Sequence, residues 1–81
     1  MKLLKMYADW CGPCKELTRW MKDIELPFEV ESIDIDKDVE VVERYNIRSI
    51  PTVVLVEDDG KLISSTVSLP AIKKLLSELV A

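Results

Sequence analysis

The sequence predicts an α/β domain of order βαβαββα, with a four-stranded mixed sheet and helices on both of its faces. First, segments with helical apolar spacing alternate with short apolar runs, so the first two strands are joined by a helix and run parallel with a right-handed crossover. Second, an Asp59-Gly60 turn separates the last two strand-like runs and makes them a hairpin. Third, 81 residues, 48% hydrophobic with two Gly and four Pro, form one domain over residues 1–81 with material for one core and not the composition of a disordered chain.

The elements follow in order. Lys2 to Tyr7 (KLLKMY) is short and apolar, ends at the Ala8-Asp9 turn, and reads as a buried strand. Pro13 fits the first turn of a helix, in which Cys14, Leu17, Trp20, Met21 and Ile24 recur on one face. Pro27 ends that pattern. Phe28, Val30 and Ser32 alternate with charged residues, and Ile33 and Ile35 complete a second strand. Asp36 is placed to cap a short helix from Lys37 to about Arg44, with Val39, Val42 and Tyr45 inward and Asn46 as a left-handed terminator. Thr52 to Val56 (TVVLV), β-branched almost throughout, predicts a central strand. Lys61 to Val67, richer in Ser and Thr, predicts an edge. Ser68-Leu69-Pro70 opens a last helix with Ala71, Ile72, Leu75, Leu76 and Leu79 as its apolar stripe.

Charge and length exclude several classes of function. A net charge of −4 with no basic patch disfavours nucleic acid and anionic membrane surfaces, since the summed field repels phosphate. No apolar run approaches the ~20 residues of a membrane-spanning helix. Lys5 interrupts the only N-terminal apolar stretch that resembles an export signal, so the chain reads as soluble and cytoplasmic. The acidic runs from Glu29 to Glu43 and from Glu57 to Asp59 read as solvated faces.

Both cysteines lie within Trp10-Cys11-Gly12-Pro13-Cys14. At that spacing they cannot staple distant loops, and two ligands without His or a second Cys pair do not make a zinc site. Cys11 falls at or just before the start of the first helix, where free N–H groups and the positive dipole end favour a thiolate. Cys11 is therefore the candidate nucleophile. Cys14, one turn on and more buried, can resolve a mixed disulfide. Pro13 stiffens the connection, and Gly12 admits the chain to the helix while exposing backbone to a substrate. Trp10 borders the nucleophile as an apolar contact surface; Trp20 and Met21 read as core.

With these residues in view the chain resembles the thioredoxin family. Tyr7 to Lys15 (YADWCGPCK) is similar to the family's active-site segment, Ile33-Asp34-Ile35-Asp36 to its second core strand, and Tyr45 to Thr52 (YNIRSIPT) to its proline loop. The resemblance covers nearly the whole chain, without the N-terminal strand and helix of full-length members. It implies a thioredoxin-like fold and a dithiol-disulfide oxidoreductase needing no bound cofactor or metal. It also implies a monomer that reduces disulfide-containing client proteins and is itself restored by thioredoxin reductase or a similar enzyme. Pro51 alone fits the start of a strand; the resemblance implies a cis proline facing the dithiol, leaving the Ile50 backbone to pair with an extended substrate.

Two departures from the family pattern stand out. Lys5 occupies the position of a buried Asp in the first strand, and Ser32 that of its accompanying Lys. Lys5 either acts on the thiols from a buried position or extends its head to solvent, and the sequence leaves both open. The glycine turn with which glutaredoxins hold glutathione is replaced by Val67-Ser68-Leu69-Pro70, and glycines common beside the proline loop and after the last strand are Ser49 and Ser68. The alternatives are therefore a glutaredoxin-like reductant, a donor dedicated to one client such as ribonucleotide reductase, or a thioredoxin-fold binding module without redox function.

Overall fold

β1 (Lys2–Tyr7) is buried from Leu3 through Met6, because it runs through the interior of the sheet with helices packed on either side. The computed structural model describes residues 1–80. The remaining elements are α1 (Gly12–Met21), β2 (Glu29–Asp34), α2 (Val39–Arg44), β3 (Thr52–Val56), β4 (Leu62–Val67) and α3 (Leu69–Leu79). The sheet order is β2-β1-β3-β4. β1 is parallel to β2 and antiparallel to β3, while β3 and β4 form the hairpin.

Alternation along β1 and β3 divides the core in two. Leu3, Val53 and Leu55 meet Leu17 of α1 and Ile72 and Leu76 of α3 on one face. Leu4, Met6, Val54 and Val56 meet Ile33, Val41 and Tyr45 on the other, so α2 covers that side. Trp20 and Met21 pack against the first cluster, as their spacing predicts, and Lys73 Nζ lies 5.8 Å from the Trp20 ring. β3 is central and buried at all five positions, and β4 is an edge.

The structure corrects several predicted bounds and faces. α1 starts at Gly12, directly after Cys11 as expected, but stops at Met21, so Ile24 packs on the core from the loop that follows; β2 ends at Asp34, α2 begins at Val39 and β4 at Leu62. α2 is capped by Asp38, not Asp36: the Asp38 carboxylate accepts the Val41 N–H at 3.4 Å, and Asp36 sits in the preceding turn. In consequence Val41 and Tyr45 face inward and Val39 is 54% exposed. In α3, Ala71 lies on the outer face and Ile72 and Leu76 carry the buried stripe.

Two loop positions have the expected left-handed backbone, Asn46 at φ 54° and Gly60 at φ 92°. The Tyr45 hydroxyl donates to the Gly60 carbonyl at 2.6 Å, which ties the end of α2 to the hairpin. Most carboxylates of the acidic runs are exposed, Asp34 and Asp38 being half-buried, and several have partners. Glu29 and Glu31 flank Lys2 at 3.6 and 3.5 Å, and Asp58 pairs with the N-terminal ammonium, whose hydrogen bond and charge hold that carboxyl below its ordinary pKa.

Candidate active site

The chain leaves β1 at Tyr7, turns through Ala8, Asp9 and Trp10, and enters α1 at Cys11, which is the helix N-cap with extended backbone at φ −91° and ψ 109°. Its Sγ accepts the Cys14 N–H at 3.2 Å, the hydrogen bond that Ser or Asp side-chain oxygens make at other helix starts. Cys11 and Cys14 are joined as a disulfide with their Cα atoms 5.3 Å apart. Both are buried, Cys14 slightly deeper at 3% exposure against 5% for Cys11. With Ala8 they form a small cluster walled by Tyr7, Ile35 and Ile50.

The β1–β2 and β1–β3 pairings bring distant segments to this point. β1 and β2 run parallel and end level, Tyr7 opposite Asp34, so the loops that follow them are neighbours. Trp10 is 69% exposed, and its indole Nε1 donates to Asp36 Oδ2 at 3.0 Å. Asp36 is held in turn by its own N–H, which donates to Asp34 Oδ1 at 2.9 Å. The antiparallel partner β3 begins directly after Ile50-Pro51, whose peptide bond is cis, and the Thr52 hydroxyl closes that loop by donating to the Ser49 carbonyl at 2.6 Å. Among the described residues the Ile50 amide and carbonyl have no backbone partner.

A groove of about 350 Å³ lies between these loops, lined by Trp10, Ile35, Val42, Ile47, Arg48, Ser49 and Ile50. Trp10 and Ile50 thus share one surface beside the disulfide. Gly12 lies at the mouth of the helix, where an added Cβ meets no atom within 4 Å and its φ is not left-handed. Its open surface, rather than any special backbone freedom, is what that position offers.

A second cavity of about 230 Å³ is lined by Cys14 itself, with Tyr7, Ala8, Asp9, Lys15 and Thr18. Lys5 lies next to it, in register opposite Ser32 on β2 and Val53 on β3. Its head folds back against α1 instead of extending freely into solvent. Lys5 is 8% exposed and its Nζ donates to Thr18 Oγ1 at 2.9 Å. Burial pushes its pKa below the ordinary lysine value of 10.5.

Sequence reasoning places neither Asp36 nor Thr18 at the site. Asp36, expected as a helix cap, carries a detectable signal for its role here, because residues following two adjacent parallel strands emerge side by side. Thr18 carries none beyond lying four residues after Cys14. No cluster of three or more His, Cys, Asp or Glu side chains suited to a metal ion occurs among the described residues, and no helix there is long and apolar enough to cross a membrane.

The family model described as Thioredoxin matches residues 1–80. Thioredoxin-1 of Drosophila melanogaster is 41% identical over 66 residues, covering 76% of this chain and 62% of that protein. Thioredoxin of Chlamydia trachomatis is 40% identical over 70 residues, covering 83% and 68%. Among solved structures, oxidised thioredoxin from Plasmodium falciparum aligns with a TM-score of 0.78 at 27% identity, over 99% of this chain and 81% of that one. A mutant thioredoxin from Halobacterium salinarum aligns with a TM-score of 0.73 at 30% identity, over 99% and 74%. The chain spans less than two thirds of the length of the Drosophila protein. With the fold, the Cys11–Cys14 pair and these likenesses in agreement, the chain belongs to the thioredoxin family.

Proposed function

We propose that residues 1–81 act as one domain, a dithiol-disulfide oxidoreductase that reduces disulfides of client proteins through Cys11 and Cys14. The observation that carries this reading is the Cys14 N–H donating to Cys11 Sγ at the start of α1, since the same amide and helix end stabilise a thiolate once the pair is reduced. The Cys11 thiolate attacks one sulfur of the client disulfide. That S–S bond breaks, the other client sulfur leaves as a thiolate, and a mixed disulfide forms. Cys14 then loses its proton and attacks Cys11 Sγ. The client's second sulfur is released, two electrons have passed to the client, and Cys11–Cys14 is left oxidised, the form seen here.

Client recognition in this reading uses the groove beside the pair. Trp10 offers its exposed ring, and the unpaired backbone of Ile50, next to Pro51, accepts an extended segment of the client as a short added strand. A reductase of the thioredoxin reductase class returns the pair to the dithiol. The acidic chain works in the cytoplasm as a monomer, without bound cofactor.

The test is reduction of insulin disulfides by the purified protein with NADPH and thioredoxin reductase, run in parallel with glutathione and glutathione reductase. Turnover with the first supports the reading; turnover with glutathione alone replaces it with a glutaredoxin-like one, and failure of both leaves a donor served by a private reductase or a binding module. A Cys14→Ser variant should accumulate a mixed disulfide between Cys11 and the client, visible as a mass adduct that dithiothreitol releases.

A further inference from the structure

We infer that Lys5 and Thr18 form a positioning pair that sets the redox poise of the cysteines, Lys5 supplying a half-screened positive charge on the α1 side of the sheet and Thr18, one helical turn from Cys14 and shared by the cavities at Lys5 and at Cys14, holding it there. The inference rests on the dithiol exchange proposed above. Lys5 is a charged side chain on an otherwise apolar stretch of β1, facing the same core as Leu3, and strands rarely bury a lysine without a partner. Its polar partner is the Thr18 hydroxyl at 2.9 Å, and among the described residues no carboxylate forms an ion pair with it. The charge is therefore not neutralised locally.

Thr18 lies one helical turn beyond Cys14, about 5–6 Å away between Cβ atoms, and the two line the same cavity. The other titratable groups around that cavity are Tyr7, Asp9 and Lys15, and Lys22 lines the groove beside Lys5 on the far side of Thr18. A positive charge at this depth favours a cysteine thiolate over the thiol. It gains nothing from the neutral disulfide. Reduction is thereby favoured, and the pair becomes a stronger oxidant than the same dithiol without Lys5. Thr18 is itself exposed, so water screens the charge and the effect is several-fold, not a hundredfold.

The test is the equilibrium constant for reduction in glutathione buffers, together with the pH profile of thiol alkylation, for the whole chain and for Lys5→Met, Lys5→Gln, Thr18→Val and Thr18→Ser. Both Lys5 variants should lower the reduction constant about threefold or more, the size expected of one screened unit charge, and move the alkylation profile to higher pH. Thr18→Val should move both in the same direction by less, and Thr18→Ser should match the unchanged protein. Folded Lys5 variants with unchanged constant and profile would overturn the inference while leaving the exchange reading intact. If the unchanged protein does not exchange with glutathione or dithiothreitol at all, both readings fall.

Discussion

The indole of Trp10 is tied to the carboxylate of Asp36, Nε1 to Oδ2 at 3.0 Å, across the gap between the loops that follow β1 and β2. The bond fixes the ring of a side chain that is otherwise largely in water, and so presents one apolar face to the groove beside the disulfide. Asp36→Ala should free the ring. KM for a protein disulfide such as insulin should rise a few-fold, with turnover of a small aromatic disulfide unchanged, because only the large substrate spans the groove. Both groups are exposed, so urea denaturation should register a loss of no more than about 1 kcal/mol.

Gly12→Ala separates docking from folding in a different way. Its Cβ has open space and its backbone needs no left-handed conformation, so the substitution should raise unfolding free energy by about 0.5 kcal/mol through the unfolded chain. The methyl nevertheless stands on the surface beside Cys11. Insulin reduction should fall relative to small-disulfide turnover, and a loss of stability would contradict the open site described here.

Ser68, which follows Val67 where β4 pairs with Thr52, offers a stabilising change outside the dithiol itself. It precedes α3 at φ 75° and ψ 142°, close to a region that essentially only glycine enters freely, and its side chain makes no capping hydrogen bond. Ser68→Gly should raise stability by about 1 kcal/mol, which for a chain of this size is a Tm increase of about 4–8 °C by thermal denaturation. The redox equilibrium should not move.

Lys5 makes stability depend on pH. Its folded pKa lies below the ordinary 10.5, so between those two values the unfolded chain binds more protons and stability rises with pH. Below the folded pKa the burial penalty is present in full, and above 10.5 it is gone. The stability difference between Lys5→Met and the unchanged protein should therefore favour the variant most at neutral pH and shift toward the unchanged protein as pH climbs toward 10.5. Paired urea curves across that window check it, since the other lysines cancel in the difference.

Much of this is legible in the amino-acid sequence. The β-branched run at Thr52 to Val56 and the Asp59-Gly60 turn mark a central strand and its hairpin, because both signals are local. Cys11 and Cys14 are equally plain, since helix entry and dithiol fall in one pentapeptide. The α2 cap is not, because Asp34, Asp36 and Asp38 are interchangeable capping residues by chemistry, and only the parallel pairing of β2 with β1 decides which of them faces Trp10. Whether Lys5 turns in or out is undecidable in sequence, because its partner Thr18 sits on another element and a hydroxyl leaves no pattern.

The interior position of β1 has a bearing on how the chain acquires its function. Cys11 and Cys14 are three residues apart and can meet in a chain that has barely folded. Ile47 to Pro51 reach them only after β3 has threaded alongside β1, a closure across more than half the sequence. The dithiol is thus assembled from neighbours in sequence, whereas the groove wall beside it, at Ile47 to Ile50, exists only where β3 lies alongside β1.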